Sequence, residues 1–149
     1  MHSNMSIVPT TWSKQRTANI GLYYVAYELE KRGWNVLITS RNAKGPDMIV
    51  YSQSGIELRT IQVKASKTKR FSVNLGRSKQ NFEMSQFAVL CLDLCKSPDL
   101  FIAKTTKFWK HSAASNPSLK VKRGGNYITM QEYSQFKGNF KSLGDPYDT

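Results

Sequence analysis

Cysteine and histidine are scarce in this sequence. Its 149 residues include two of each, and the cysteines, Cys91 and Cys95, share one apolar stretch. A disulfide-stabilised extracellular domain needs more cysteines, and a zinc site needs more ligands at a defined spacing. We therefore expect two reduced thiols and a cytoplasmic protein.

Long apolar segments are also absent. No stretch approaches the ~20 consecutive apolar residues that a membrane-spanning helix requires, and the N-terminal stretch has no apolar core of a secretory signal. We expect no association with a membrane. The length and the ordinary hydrophobic fraction of 40% fit one globular domain over residues 1–149, with an irregular lead-in at 1–16 and a frayed tail at 144–149.

Acidic residues are few. Ten of them stand against 22 lysines and arginines, which gives a formal net charge of +12, and none lies between Leu58 and Phe82. Clustered positive charge attracts nucleic acid through the release of counterions. The alternative is a cationic surface that only aids solubility. The candidate nucleic-acid-binding residues are Arg41, Lys67, Lys69, Arg70, Arg77 and Lys79.

Apolar periodicity and turn residues predict a mixed α/β fold. Apolar residues at helical spacing between Leu22 and Leu29 indicate a first helix that ends at Gly33. Three strand segments follow; the second and third are close enough for a hairpin, and the third runs from about Glu57 to Ala65. A basic irregular segment, a short helix, a buried strand over FAVLCLDL and a further strand come next. The order is αβββαβ, with a closing helix predicted from about residue 129.

One group of residues on the predicted hairpin suits phosphodiester hydrolysis. Asp47 begins the second strand, and Gln62 and Lys64 lie two residues apart on the third, so their side chains share one face. A carboxylate is a ligand that Mg²⁺ prefers, and a lysine nearby orients an attacking water or stabilises the developing charge. The alternative is structural: Asp47 caps a turn, and the other two form the solvated face of an edge strand.

The motif GPD at Gly45–Asp47, followed by QVK at Gln62–Lys64, resembles that of the PD-(D/E)XK nuclease superfamily. The similarity is to the branch in which glutamine replaces the second acidic residue, as in Mrr-like restriction enzymes and some homing endonucleases. The preceding helix, GLYYVAYELEKRGW, also resembles the first helix of that superfamily. The resemblance implies a restriction-endonuclease-like fold with a central mixed sheet flanked by helices, and a DNA endonuclease that uses Mg²⁺ or Mn²⁺.

The resemblance also implies a role for each residue of the motif. Asp47 would hold the metal, Gln62 would be a weaker metal ligand, the Val63 carbonyl a further ligand, and Lys64 would serve catalysis. DNA is implied as the substrate more than RNA. Because many domains of this kind cut both strands as dimers, a homodimer is the assembly to test.

The sequence departs from the family pattern at one position. Many relatives carry a glutamate just after the glycine that corresponds to Gly21, where this chain has Leu22. Glu28 lies ~120° away from Leu22 around the helix and is a poor substitute. Two other functions therefore stay open: a catalytically inactive nuclease-fold module that binds nucleic acid, and a subunit of a larger DNA defence or repair complex.

Overall fold

The computed structural model describes residues 11–40, 44–113 and 125–149. Its α-helices are α1 (Lys14–Lys31), α2 (Lys79–Phe82), α3 (Thr105–Lys110) and α4 (Met130–Tyr133). Its strands are β1 (Asn35–Ile38), β2 (Met48–Tyr51), β3 (Leu58–Ala65), β4 (Ser72–Asn74), β5 (Phe87–Leu92), β6 (Asp99–Lys104) and β7 (Tyr127–Thr129). Two 3₁₀ helices follow, at Ser134–Phe136 and Phe140–Leu143. Within the three described ranges, no helix is both long and apolar enough to cross a membrane.

A five-stranded mixed sheet in the order β1-β2-β3-β5-β6 forms the centre of the molecule. The first three strands form an antiparallel meander, in which Met48 of β2 pairs with Ile61 of β3. β3 pairs with β5 in parallel, and β5 pairs with β6 antiparallel. β4 and β7 form a separate two-stranded ladder. The predicted αβββαβ order, the mixed sheet and the hairpin of β2 and β3 are confirmed.

Strand β5 is where the two halves of the core meet. All six of its residues are buried. Val89 and Cys91 belong to the apolar cluster that contains Leu29 of α1, whereas Leu90 belongs to the cluster that contains Phe108 of α3. A strand that is covered on both faces needs no alternation of polar and apolar residues. This explains why the chain has a continuous apolar run at this strand.

Helix α1 begins inside the segment predicted to be an irregular lead-in. Ser13 is its N-cap, and the Ser13 hydroxyl accepts a hydrogen bond from the Arg16 backbone N–H at 3.1 Å. Residues 14–16 are therefore helical. The predicted end is correct, because Gly33 adopts φ 102° just beyond the last turn, a conformation that suits glycine.

The C-terminal part of the chain differs from the prediction of one closing helix. The α-helix covers only Met130–Tyr133, and Gly138 at φ 62° interrupts the helical path after the first 3₁₀ helix. Residues 127–129 form β7 and pair with β4, which lies in the segment predicted to be irregular. Strands of three residues carry too little alternation to be recognised from sequence.

The tail at 144–149, predicted to be frayed, is held against the rest of the protein. The Asp148 carboxylate accepts a hydrogen bond from the Ser54 backbone N–H at 2.8 Å. The Tyr147 ring lies against Gly33, at the position that a side chain would otherwise occupy. The tail thus contacts both the turn between β2 and β3 and the end of α1, which the sequence pattern of the tail alone does not reveal.

Candidate active site

Asp47 lies immediately before β2 and is fixed by both its backbone and its side chain. Its N–H donates to the Ile61 carbonyl at 2.9 Å, so Asp47 as well as Met48 lies opposite Ile61. Its carboxylate Oδ2 accepts a hydrogen bond from the Val63 N–H at 2.8 Å. Because β2 ends here while β3 continues, β3 offers its backbone groups to the carboxylate. The hairpin therefore determines where this carboxylate points.

Lys64 is the charge partner of Asp47, and both groups are largely removed from water. Burial raises the pKa of the Asp47 carboxyl, although the Val63 N–H and the Lys64 ammonium act in the opposite direction. Burial likewise lowers the pKa of Lys64, and the Asp47 charge partly offsets that effect. Each group is thus less readily charged than it would be in water. Perturbed ionisable pairs of this kind are typical of functional sites.

Gln62 and Val63 complete the segment of β3 that adjoins Asp47. Gln62 is half-buried and shares its face of β3 with Lys64. Val63 packs partly against the cluster below α1. Its carbonyl points to the same edge of the strand as its N–H, which is the edge that carries Asp47.

A cavity of about 160 Å³ separates Asp47 from helix α1. Val63 and one face of α1 line it, and Leu22 is among the helix residues of that face. The same face contributes Gln15 and Asn19, whose side chains are joined by a hydrogen bond of 3.1 Å from Gln15 Nε2 to Asn19 Oδ1. Sequence reasoning missed these two amides. The N-cap at Ser13, which places the first turn of α1, was the signal that would have found them.

The acidic residues further along α1 do not reach this cavity. Glu28 pairs with Arg32 at 2.6 Å, and the Glu30 carboxylate accepts a hydrogen bond from the Val36 N–H at 3.0 Å. Across the described ranges, no three side chains of histidine, cysteine, aspartate or glutamate come together. The cavity side of the hairpin therefore offers a single carboxylate, Asp47.

The donor atoms beside Asp47 suit a hard divalent cation. They are oxygens: the Asp47 carboxylate, and the Val63 carbonyl at the strand edge that Asp47 adjoins. Mg²⁺ prefers oxygen ligands and keeps several of its own waters when few protein groups bind it. Thiolate and imidazole, which would select zinc or copper, do not line the cavity in the part of the chain that the structure describes. The residues present therefore fit a magnesium ion with a sparse protein ligand set.

A larger groove of about 480 Å³ opens at the other side of Lys64. We call it the basic groove, and we define it by the side chains of Trp12, Lys14, Lys64, Lys67 and Arg70, which line it between the first turn of α1, the end of β3 and β4. Sequence analysis identified Lys67 and Arg70, but it missed Trp12 and Lys14. The two missed residues flank the Ser13 N-cap, which is what brings them to the groove.

The remaining predicted nucleic-acid-binding residues lie elsewhere. Lys69 lines a separate depression together with Asp93 and Asp99, where acidic side chains offset its charge. Arg77 and Lys79 are at solvent-accessible positions after β4 and do not line the groove. Arg41 lies outside the described residues. The structure thus divides the basic residues by location, although the sequence presents most of them as one run.

Two solved structures share this fold. The bacterial homing endonuclease I-Ssp6803I aligns with a TM-score of 0.56 and 17% identity, over 84% of this chain and 86% of that one. Hjc of Archaeoglobus fulgidus, a Holliday junction resolvase from an archaeal hyperthermophile, aligns with a TM-score of 0.58 and 13% identity, over 86% of this chain and 96% of that one. No family model and no curated protein sequence matches the chain. The chain therefore has a restriction-endonuclease-like fold with a central mixed sheet, as predicted.

Proposed function

We propose that this protein is a metal-dependent endonuclease that hydrolyses phosphodiester bonds in DNA. The observation that carries the proposal is the pairing of Asp47 with Lys64 at the end of the β2–β3 hairpin, beside a cavity and a basic groove. The fold supports it, because a homing endonuclease and a Holliday junction resolvase share it. Fold alone does not determine activity, so the site has to supply the argument.

The residues of the site divide the chemistry among them. Asp47 and the Val63 carbonyl would hold Mg²⁺, or Mn²⁺ in its place, with Gln62 as a weaker oxygen ligand. The bound ion supplies a Lewis acid that acidifies water and neutralises charge on the phosphate. The Lys64 ammonium, whose charge interacts with that of the carboxylate, would orient the attacking water or stabilise the negative charge that develops on the phosphate oxygens. The Val63 N–H holds the Asp47 carboxylate in position throughout.

One observation favours a second candidate, a DNA-binding module without catalytic activity. Leu22 lines the cavity at a place where a carboxylate would add a second charged ligand. Because Asp47 is the only carboxylate among the described residues that line the cavity, the affinity for a divalent cation depends on neutral oxygens and retained waters. The basic groove would serve such a module equally well. Membership of a larger complex and assembly as a homodimer also remain proposals.

A cleavage assay tests the proposal and separates the two candidates. Linear, nicked and branched DNA are incubated with the purified protein and Mg²⁺ or Mn²⁺. We expect Asp47→Ala to abolish cleavage while DNA affinity stays within a few-fold. Lys64→Ala should lower the rate on the order of a hundred- to a thousand-fold, the usual effect of losing one preorganised charge stabiliser. Glu57→Ala, at the far end of the same hairpin, is the matched control and should cleave normally.

Leu22→Glu provides the deciding variant, because Leu22 faces the cavity that Asp47 lines. If the parent protein cleaves DNA, the added carboxylate should tighten Mg²⁺ binding, so that cleavage needs a lower Mg²⁺ concentration than in the parent. A parent protein that is inactive with both metals, together with a Leu22→Glu protein that cleaves, would establish the binding-module function instead. Equal cleavage by the parent and Asp47→Ala would show that the site has been assigned wrongly.

A further inference from the structure

The basic groove has a strongly one-sided electrostatic character. Four of the side chains that line it are cationic: Lys14, Lys64, Lys67 and Arg70. Within the described part of the chain, no acidic residue lines it. A concave surface with charge of one sign concentrates the field more than a flat surface does. A ligand that fits this groove therefore carries negative charge, and phosphate is an anion that lysine and arginine bind well.

Lys64 connects the groove to the candidate active site. Its side chain lines the groove, and its charge interacts with the Asp47 carboxylate. One lysine therefore lies at the border of two recesses, the small cavity beside Asp47 and the larger groove. The groove therefore adjoins the candidate site at Lys64.

Trp12 adds an aromatic side chain to this cationic setting. It lies just before the N-cap of α1 and is half-buried, so part of its ring is available to a ligand. Nucleobases stack on aromatic side chains regardless of sequence. A base inside a continuous duplex already stacks on its neighbours and presents only its edges to a protein. An aromatic wall in a recess therefore suits a base that has left the duplex.

The size of the groove agrees with a single nucleotide. Its volume is about 480 Å³, which is within the range of roughly 300–1,000 Å³ for pockets that enclose small ligands. We propose that the basic groove binds one unpaired nucleotide of the substrate strand, with its base on Trp12 and its phosphate on Lys14, Lys67 and Arg70. Its position next to the cleaved bond rests on the proposed function. The preferred substrate class is then DNA with a single-stranded or frayed position, rather than a continuous duplex.

Tryptophan fluorescence reports on this groove directly. The chain has three tryptophans, and Trp34 and Trp109 are only 2% and 7% exposed, so Trp12 is the one that a ligand reaches. The probe is a short oligothymidylate without metal, added to Asp47→Ala protein, with excitation on the red side of the nucleobase absorption. We expect it to quench the emission in Asp47→Ala protein and to leave Asp47→Ala/Trp12→Phe protein unquenched. A blunt duplex of equal length should quench much less.

Affinity measured by fluorescence anisotropy gives the second readout. Trp12→Ala should weaken oligothymidylate binding about tenfold, within the range for loss of one base-stacking contact. Phe71→Ala is the matched aromatic control, because Phe71 is 81% exposed in the same segment but does not line the groove. Lys14→Ala should weaken binding, whereas Lys31→Ala, at the opposite end of α1, should not. The affinities of Phe71→Ala and Lys31→Ala are expected to stay within about twofold of the parent affinity.

Three results would overturn the proposal. They are binding without quenching, equal quenching by blunt duplex, and a loss of affinity in Phe71→Ala as large as that in Trp12→Ala. These outcomes are independent of the cleavage assay. Quenching without any metal-dependent cleavage would remove the proposed nuclease function and leave the groove as a single-strand site. Cleavage of continuous duplex without quenching would retain the nuclease function and remove the groove from it.

Discussion

At the scale of single residues, Asp47 shows a conflict between stability and activity. Its carboxylate is held by the Val63 N–H and lies near the Lys64 ammonium, yet burial still raises its pKa. The ionised form is therefore less favourable in the folded protein than in the unfolded chain. A group in this condition destabilises the fold at neutral pH when no metal is bound. Sites arranged for chemistry commonly carry such a cost.

This conflict gives a pH-dependent prediction for Asp47→Asn. A raised carboxyl pKa lowers the free energy of unfolding as the pH rises from the unfolded-state value of about 4 through the folded-state value. Asparagine keeps an oxygen for the Val63 N–H but carries no charge. Without metal, the variant should be more stable than the parent at pH 7, by about 0.5–2 kcal/mol, and equally stable near pH 3. It should also have no cleavage activity.

Urea denaturation at the two pH values, in the presence of a chelator, measures the difference. Asp99→Asn serves as the control, because Asp99 is an exposed partner of Lys137 at 3.6 Å. Two results would contradict the view that burial of the Asp47 carboxylate destabilises the fold. They are a stability difference for Asp47→Asn that is independent of pH, and a parent protein that is the more stable at pH 7.

At the scale of elements, the close contact between α1 and β3 positions the site. Gly21 faces Ala65, and a Cβ on Gly21 would overlap the Cβ of Ala65. Ala65 follows Lys64 directly, so the separation between helix and strand at this point also sets the walls of the cavity and the groove. Glycine is here a packing requirement, despite its cost of roughly 1 kcal/mol in a helix interior.

Gly21→Ala should therefore destabilise the protein, although the same change in an exposed helix interior would stabilise it. We expect the overlap to cost about 1–3 kcal/mol, as overpacking does, and this outweighs the gain in helix propensity. DNA cleavage should fall as well, because α1 has to move away from β3. Tyr27→Ala, at an exposed position of the same helix, is the control and should change stability little. Urea denaturation measures the free energy of unfolding of both variants. A Gly21→Ala protein more stable than the parent would refute the packing role of Gly21.

The elements that sequence predicted are those whose signal is local. The apolar run at β5 and the hairpin of β2 and β3 are recognisable from short stretches of chain, and both are confirmed. β4 and β7 were missed because each has three residues and needs its distant partner to form a ladder. The same holds for the tail, whose Asp148 carboxylate contacts Ser54 far away in sequence. Pairing between distant segments leaves little trace in either segment alone.

The residues of the candidate site likewise separate into those that local sequence predicts and those that only the tertiary structure reveals. Asp47, Gln62 and Lys64 were selected because strand periodicity and a hairpin relate them, and the structure places Asp47 and Lys64 within electrostatic reach of each other. Trp12 and Lys14 were overlooked because they reach the groove through the packing of α1 on the sheet. Gln15 and Asn19 were overlooked for the same reason. The packing of α1 on the sheet brings these groups together. This packing is a tertiary property that residue spacing along the sequence does not predict.

At the scale of the whole molecule, the net charge of +12 predicts that the proposed DNA binding depends strongly on salt. The structure indicates which cations contribute. Arg70 lines the basic groove, whereas its neighbour Lys69 shares a depression with Asp93 and Asp99. Two adjacent residues of equal charge therefore have different surroundings. Charge counted along the sequence is a poor guide to charge presented to a ligand.

Arg70→Ala and Lys69→Ala form a matched pair for this point. In a plot of log affinity against log salt, Arg70→Ala should reduce the magnitude of the slope by roughly 0.7–0.9, the contribution of one phosphate contact. Lys69→Ala should leave the slope nearly unchanged, although it removes the same net charge. Titration of catalytically inactive protein with labelled DNA at several salt concentrations gives both values. Equal changes in the two variants would mean that overall charge, rather than the groove, governs binding.

The ladder of β4 and β7 has a consequence for how the molecule assembles. α1, β1, β2 and β3 are consecutive in the chain and pack on one another, so Asp47 and Lys64 meet through short loop closures. β4, the outer wall of the basic groove, has β7 as its partner strand, near the C-terminal end of the described chain. Closing long loops is entropically costly and slow. We therefore expect the hairpin that carries Asp47 and Lys64 to form before the β4–β7 wall of the basic groove.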